Sequence, residues 1–197
     1  MKFALASPPH EPQLRRMTRE QTMPGWIRLA YAREPNWFDG QDVLGHFHQT
    51  IIATDDSDSV VGCGVRSIRK AYVDGRESSI GYLCGLRSLP KARRSTGLAR
   101  GYRFLHQLHE ADHRVPAYLT TIVEDNLGVT ALLTGGRAGL PAYIDQGRFI
   151  ASAIPLGRRQ PAPLPKGIDI RSGDELPPVS ILDFLRAEGP NRQFFPA

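Results

Sequence analysis

The chain has 197 residues, of which 41% are hydrophobic and 23% charged, so it fits a soluble globular protein with one substantial domain. No apolar run approaches the length that crosses a bilayer, so no membrane partner is expected and the expected compartment is the cytoplasm. The net charge is +5, but the basic residues are scattered and are not interleaved with aromatic residues. That pattern favours a small anionic partner over a nucleic acid.

The first half of the chain is predicted to form mainly strands. Pro12 stands near the start of residues 14–20, which favours a helix there. Residues 38–47 fit a short helix or a loop, and the acidic residues 55–58 fit a turn. Asp74-Gly75 between two apolar runs is a strong signal for a β-hairpin. Alternating or apolar runs predict strands at residues 3–6, 26–31, 49–54, 60–68 and 79–86.

The second half alternates helices and strands. Apolar residues recur at helical spacing over residues 98–110 and predict an amphipathic helix. A strand at 118–123, a short helix at 126–134 ended by Gly135-Gly136, and a late strand at 149–154 follow. This order predicts an α+β fold, in which helices flank one mixed, mostly antiparallel sheet.

A proline-rich stretch divides the chain. Residues 157–167 are predicted to be a linker that follows a domain of residues 1–156. Beyond the linker, residues 168–171 are strand-like and residues 179–187 helix-like. The segment 168–197 is too short for a core of its own. It either packs on the first domain or opens a second one.

The turn before the 98–110 helix carries the clearest chemistry. Backbone N–H groups at a helix N-terminus attract anions, and Gly97 and Ala99 leave room for a phosphate to approach. Hydroxyl groups and the charges of Lys91, Arg93 and Arg94 add to this cradle. The same pattern alone also fits a surface turn with solvated arginines, and it is neither a P-loop nor a Rossmann fingerprint. The turn itself consists of Arg94, Ser95, Thr96, Gly97, Leu98 and Ala99.

In its context this turn resembles the R/Q-x-x-G-x-G/A turn of the GNAT N-acetyltransferase superfamily. In that family a strand leads to the phosphate-binding turn and a helix, and the next strand is followed by a short helix that bears an Asn. Residues 80–90 resemble the strand and its Pro exit, and Glu124-Asp125-Asn126 resembles the later segment. The resemblance covers roughly residues 3–156, and residues after 167 faintly resemble the opening of a second such unit.

The resemblance implies acetyl-CoA as co-substrate, bound where two strands splay apart. Backbone groups of Leu86, Arg87 and Ser88 would face the pantetheine arm, and Asn126 would fix the pantetheine or the splay. An amine, of a small molecule or of a protein, would attack the acetyl thioester directly, and a backbone N–H near residues 86–88 would stabilise the oxyanion. The residues implied for the pyrophosphate are Arg93, Arg94, Ser95, Thr96, Gly97, Leu98 and Ala99.

The sequence departs from the family at both catalytic positions. The family's frequent Glu falls near Gly81 or Tyr82, and neither of these is a carboxylate. Its frequent Tyr falls among residues 132–134, none of which is a Tyr. Glu124 could accept a proton through a water, or it could be a solvated strand end or a helix cap. Tyr143 could act as an acid, or it could pack in the sheet. A catalytically weak or inactive acyl-CoA-binding module is therefore the alternative to a transferase.

Several other residues admit two interpretations. Cys63 and Cys84 are expected to be buried thiols, without a disulfide or a metal. His109 and His113 have helical i, i+4 spacing, which favours a solvent-facing helix side over a metal site. The aromatic turns at residues 23–26 and 34–38 either shape the acceptor side or close the core. A homodimer is left open.

Overall fold

The computed structural model describes residues 1–23, 30–93, 96–150 and 165–197. The chain divides into two compact units. The first consists of Met1–Lys70 and Ser78–Asp145, and the second of Ala71–Glu77 and Gln146–Ala197. Among the described residues, no helix combines the length and the apolar character that a membrane crossing requires.

One five-stranded sheet organises the fold, and its strands lie side by side in chain order. Strand β1 pairs antiparallel with β2, β2 pairs antiparallel with β3, and β4 pairs parallel with β5. The predicted α+β class with a mixed, mostly antiparallel sheet is confirmed. The strands are β1 (Lys2–Leu5), β2 (Phe47–Thr54), β3 (Val60–Val73), β4 (Arg76–Ser88) and β5 (Tyr118–Leu119).

The predicted hairpin joins β3 and β4. Asp74 and Gly75 have φ values of +49° and +75°, and two positive φ values in a two-residue loop define a type I′ turn. The turn occupies only these two residues, so both strands continue to it. For that reason β3 and β4 are longer than the apolar runs 60–68 and 79–86 indicate.

In the described part of the first unit the α-helices are α1 (Glu11–Glu20), α2 (Pro90–Arg93), α3 (Gly97–Asp112) and α4 (Leu127–Thr134). The predicted helix at 14–20 begins three residues earlier because Pro12 occupies its first turn, where a missing N–H does no harm. Residues 38–47 contain a 3-10 helix, Gln41–Leu44.

The core lies between α1 and the sheet. Leu14 of α1 and Trp37 of the following loop have no exposed surface. The Trp37 indole N–H donates to Thr50 Oγ1 at 3.1 Å, and its backbone N–H donates to Glu11 Oε1 at 2.9 Å. Of the two interpretations of the 34–38 turn, the structure therefore supports core closure for Trp37. The remaining members of this cluster are Met17, Ile52, Val60, Cys63 and Val65.

Several predicted strands differ in the structure. The 118–123 run forms a strand only at Tyr118–Leu119. Residues 149–150 and 168–171 are not in strands, and no strand among the described residues pairs with them. The predicted strand at 26–31 lies mostly outside the described residues, as do positions 151–154 of the late strand and residues 157–164 of the linker.

The second unit contains helix α5 (Pro178–Glu188), which confirms the helix expected over 179–187. The chain's last residues pair with the end of β3. Tyr72 donates its N–H to Phe195 O at 2.8 Å and accepts from Phe194 N at 2.7 Å. Gly189 lies so close to the Tyr72 ring that a Cβ there would stand 2.4 Å from a ring carbon.

Candidate active site

The parallel pair of β4 and β5 separates after two residue pairs. Gly81 lies opposite Tyr118, and Tyr82 lies opposite Leu119. Beyond them β4 runs on to Ser88 while β5 ends. Among the described residues, no strand therefore pairs with the backbone of residues 83–88 on the β5 side. Leu86, Arg87 and Ser88, which the resemblance places against pantetheine, all lie in this open stretch.

A glycine reverses the side-chain alternation within the open stretch. Gly85 has a φ of +64°, a left-handed conformation typical of glycine at a β-bulge. After it Arg87 is buried, at 9% exposure, and Leu86 is exposed at 43%. The Cys63 thiol donates to Gly85 O at 3.7 Å, which links the bulge to β3. The bulge thus brings the side chains of Cys84 and Arg87 to the same face of the sheet.

The basic residues that lead to α3 are bound by the protein itself. Arg93 donates from Nε to Ser88 O at 3.1 Å and from Nη2 to Gln21 Oε1 at 3.2 Å. Lys91 Nζ lies 2.6 Å from Asp55 Oδ2, and this contact is the main reason that the pKa of Asp55 is lowered. Arg94 and Ser95 lie outside the described residues. These contacts fix the path of the turn and take part of its charge away from a phosphate.

Helix α3 begins at the predicted place. Thr96 is its N-cap, without a side-chain capping bond, and Thr96 O accepts from Arg100 N at 3.0 Å. Gly97, Leu98 and Ala99 form the first turn of α3. Ala99 also packs against another loop, because a Cβ on Gly139 would stand 3.0 Å from Ala99 Cβ. A larger residue at position 99 would displace that loop.

Asn126 starts helix α4. Its Oδ1 accepts from Val129 N at 3.4 Å, and Thr130 Oγ1 donates to its backbone carbonyl at 3.2 Å. An Asn at this position satisfies one of the N–H groups that a helix start leaves open. This capping role explains the residue type, and it places α4 directly after the segment that leaves the β4–β5 splay.

The two residues predicted for proton transfer occupy different surroundings. Glu124 is exposed in the turn that precedes α4. Tyr143 is half-buried, and its hydroxyl lies 2.6 Å from that of Tyr102 on α3. Burial, reinforced by this hydrogen bond, raises the pKa of Tyr102. The Tyr102 phenol therefore stays protonated, and its oxygen is hydrogen-bonded to that of Tyr143.

Tyr82 is a candidate that the sequence analysis did not single out. It is the last residue of β4 that pairs with β5, and its hydroxyl lies 2.6 Å from Thr121 Oγ1. Burial raises the pKa of Tyr82, so the phenol is a proton donor at neutral pH. The signal was present, since Tyr82 falls where the family's Glu is expected, but only a carboxylate was sought there.

A buried arginine of β3, Arg66, connects the sheet to α3. Arg66 has no exposed surface and donates to Tyr118 OH at 2.8 Å, Gln49 Oε1 at 3.1 Å and Asp112 Oδ1 at 2.5 Å. These partners belong to β5, β2 and the last turn of α3. Arg66 therefore fixes the start of β5, and with it the point where β4 and β5 part.

The thiols and the histidines are not among the residues predicted for proton transfer. Cys63 and Cys84 are free, and burial raises the pKa of Cys63 to about 12. His109, Glu110 and His113 at the end of α3 bring one ligand atom each within 4.8 Å of one another, an arrangement that could hold a metal ion. His109 Nδ1 also lies 3.3 Å from Tyr118 OH.

Comparisons with known proteins were informative only at the level of structure. The sequence matches no protein-family model. A search of curated proteins likewise gives no match. Among solved structures, the aminoglycoside 6'-N-acetyltransferase AAC(6')-Ih from Acinetobacter baumannii superposes with a TM-score of 0.52 and 16% identity, over 79% of this chain and 99% of that one. A protein described as an acetyltransferase from Agrobacterium tumefaciens gives a TM-score of 0.57 with 10% identity, over 77% of this chain and 100% of that one.

A third structure was solved with a ligand. AAC(6')-Iy, in complex with the bisubstrate analog CoA-S-monomethyl-acetylneamine, has a TM-score of 0.51 and 17% identity, over 75% of this chain and 98% of that one. At such identities the similarity defines the fold. The chain has the fold of the GNAT acetyltransferases, as its sequence resemblance predicted.

Proposed function

We propose that this chain is an acetyl-CoA-dependent N-acetyltransferase that acts on an amine by direct attack in a ternary complex. The observation that carries the proposal is the early separation of β4 from β5, which leaves residues 83–88 with an open backbone edge. An extended amide-bearing chain such as pantetheine can pair with an open strand edge as another strand would. The start of α3, at the end of the same loop, offers an anion site for the pyrophosphate.

The residues present fit acetyl-CoA, which would supply the acetyl group as a thioester. The amine nitrogen would bond to the carbonyl carbon as the carbon–sulfur bond breaks, so one proton leaves the amine and one reaches the departing thiolate. A backbone N–H of residues 86–88 would stabilise the oxygen that becomes negative. The protein's task is therefore to orient two substrates and to move two protons.

Proton transfer can be assigned from position and from protonation state. Glu124, whose side chain is exposed, would accept the amine proton through a water. Tyr82 would protonate the thiolate, because it lies at the splay and its raised pKa keeps it protonated. Tyr143 is the alternative acid, bonded to Tyr102.

A binding module without turnover is the second candidate. The observation that favours it is the absence of the family's Glu and Tyr from their usual positions. Such a module would bind acetyl-CoA at the same splay and release no CoA in the presence of any amine. Turnover with an amine panel would exclude it.

Calorimetric titration of the full chain with acetyl-CoA tests the binding step. We expect micromolar affinity in the wild type and a loss of at least about tenfold in Gly97→Glu, because a carboxylate at the first turn of α3 repels the pyrophosphate. Gly173→Glu is the matched control, since it adds the same charge in the second unit at a glycine with no atom within 4 Å of its added Cβ.

Two results would contradict the proposal. One is the absence of acetyl-CoA binding below millimolar concentration. The other is an equal loss of affinity in Gly97→Glu and Gly173→Glu, which would mean that a general charge effect and not the start of α3 determines binding.

A further inference from the structure

The guanidinium of Arg87 is buried but only partly bonded. Its Nη1 donates to Leu86 O at 2.8 Å. Nε and Nη2 have no accessible surface and, within the part of the chain that the structure describes, no hydrogen-bond partner. These two N–H groups point in parallel from one edge of the guanidinium, the edge that takes a carboxylate in a two-bond fork. A charged donor pair that is desolvated and unbonded is costly, so an anionic partner is expected to complete it.

The neighbours of Arg87 supply no such anion. Its guanidinium carbon lies 5.6 Å from the centre of the Tyr31 ring. Burial lowers the pKa of Arg87, and the groups that oppose this are Cys63, Tyr31 and Cys84, none of which is a carboxylate. The sequence from residue 21 to residue 33 contains Arg28 and Arg33 and no acidic residue. Among the residues that the structure describes, no carboxylate therefore pairs with the Arg87 cation.

The nearest acidic residue along that loop is already engaged. Glu34 binds Arg15 of α1 at 2.5 Å and lies 3.8 Å from Arg19. The charge of Arg33, by contrast, lowers the pKa of both thiols, as the charge of Arg87 does. The two cations therefore share one region. We call this region the Arg87 face, formed by Cys63, Cys84 and Arg87 of the sheet with Tyr31 and Arg33 of the loop.

The Arg87 face lies next to the candidate chemistry. The charges of Cys84 and Tyr31, two members of this face, contribute to the raised pKa of Tyr82. Tyr82 stands at the β4–β5 splay, five residues before Arg87 on the same strand. An anion on the free edge of Arg87 would thus lie on the strand that carries the proposed thioester site.

We propose that the acceptor is an amine that also carries a carboxylate, and that the Nε and Nη2 groups of Arg87 bind this carboxylate. Such an acceptor presupposes the acetyl transfer proposed above. The positive Arg87 face selects against polyamines of the aminoglycoside kind, on which some of the solved neighbours act according to their names. The substrate class is accordingly that of amino acids and similar amino-carboxylates.

A phosphate of acetyl-CoA is the other anion that could meet Arg87. The site expected for it is the start of α3, whereas the ring against Arg87 is Tyr31, which belongs to the loop after α1. The two sources differ in which substrate's KM depends on Arg87. The acceptor assignment requires that the KM for acetyl-CoA be independent of the side chain.

Matched amine pairs test the assignment. Initial rates of CoA release would be measured with phenylalanine against phenethylamine and with lysine against 1,5-diaminopentane, which differ only in the carboxylate, and with neamine as a polyamine. We expect kcat/KM to be at least about tenfold higher for the carboxylated member, since a two-bond contact between charged groups is strong. Arg87→Leu removes this preference, Arg87→Lys restores part of it, and the KM for acetyl-CoA stays unchanged.

Arg186→Leu on α5 is the matched control, because it removes the same charge from an exposed side chain in the second unit. It should keep the preference of the wild type. Thermal unfolding of each variant shows whether it is folded, and Arg87→Lys, which keeps the charge, remains informative if Arg87→Leu does not fold.

Three results would overturn the assignment while acetyl transfer stands: equal turnover of both pair members, a preference that survives Arg87→Leu, or a raised KM for acetyl-CoA alone. If no amine is acetylated, the proposed function fails instead. Calorimetry with N-acetylphenylalanine against N-acetylphenethylamine then decides on Arg87 by itself. Binding of only the former, lost in Arg87→Leu, supports the carboxylate site, and equal binding of both removes it.

Discussion

At the scale of single residues, strand β4 brings a proton donor and an anion receptor within five positions of each other. Tyr82 stands where the family resemblance implies a carboxylate, and a phenol with a raised pKa gives protons at neutral pH instead of taking them. The amine proton must then leave by Glu124 or directly to solvent. In the proposed mechanism the base therefore lies outside the sheet and the acid within it.

Replacing Tyr82 by Phe should lower kcat by about 100-fold, in the range typical of a lost general acid, with little change in the KM for acetyl-CoA. Steady-state kinetics with an active amine measures this. Tyr143→Phe removes the same hydroxyl from the pair with Tyr102 and should cost much less. Equal kcat in Tyr82→Phe and the wild type, combined with a large loss in Tyr143→Phe, would transfer the role to Tyr143.

At the scale of elements, the sequence predicted most helices and strands, and the errors have a common cause. Asp74-Gly75 predicts the hairpin and Asn126 predicts the start of α4. Both predictions succeed because local backbone conformation and hydrogen bonding alone define a turn or a cap. The length of β5 depends on a partner distant in sequence, so an apolar run 118–123 could not reveal that pairing stops after Leu119.

The candidate site was predictable to a similar extent. The turn at residues 93–99 has a sequence pattern, and helix α3 begins within it, at Gly97, while Arg94 and Ser95 lie outside the described residues. The free edge of Arg87 has no sequence pattern. It depends on the left-handed conformation of Gly85, after which Arg87 is buried and Leu86 is exposed. Strict alternation along β4 would have put Leu86 beside Cys84. A single glycine in a strand does not predict the direction in which the chain bulges.

The glycine before Tyr82 tests the geometry of the splay. In Gly81→Ala the new Cβ would stand 2.1 Å from Tyr118 Cδ1, so the ring of Tyr118 must move. We expect a loss of about 1–3 kcal/mol in the free energy of unfolding, as for other overpacked sites, and weaker acetyl-CoA binding. Urea unfolding measures the first and calorimetry the second. Gly64→Ala on β3, where no atom lies within 4 Å, is the control; equal stability of the two variants would contradict the close approach.

At the scale of the whole molecule, Arg66 connects β2, β3, β5 and α3 through one buried side chain. Its counter-charge is Asp112. Burial by itself would raise the pKa of Asp112, but the hydrogen bonds and charges of Arg66 and Arg114 outweigh burial and lower it. Stability and pH are therefore coupled at this pair.

Because the folded-state pKa of Asp112 is below the unfolded value of about 4, its contribution to stability is complete above that pH and is lost as the pH falls through the lower, folded-state pKa. Asp112→Ala should lower the free energy of unfolding at pH 7 by about 3 kcal/mol, since it leaves a buried charge with fewer partners. Urea unfolding from pH 7 to pH 3 should show the difference between wild type and variant shrinking at low pH. A difference that stays constant over this range would contradict the role of the Asp112 charge.

The pairing of Tyr72 with Phe194 and Phe195 has a consequence for synthesis on the ribosome. The hairpin tip is made early, yet Asp74 N–H finds its acceptor, Gln193 Oε1, 119 residues later. At about 5–20 residues per second, the tip waits roughly 6–24 s for these partners. During that interval the exposed backbone of the tip is open to any other strand, so the nascent chain is most vulnerable to mispairing at the end of its best-formed hairpin.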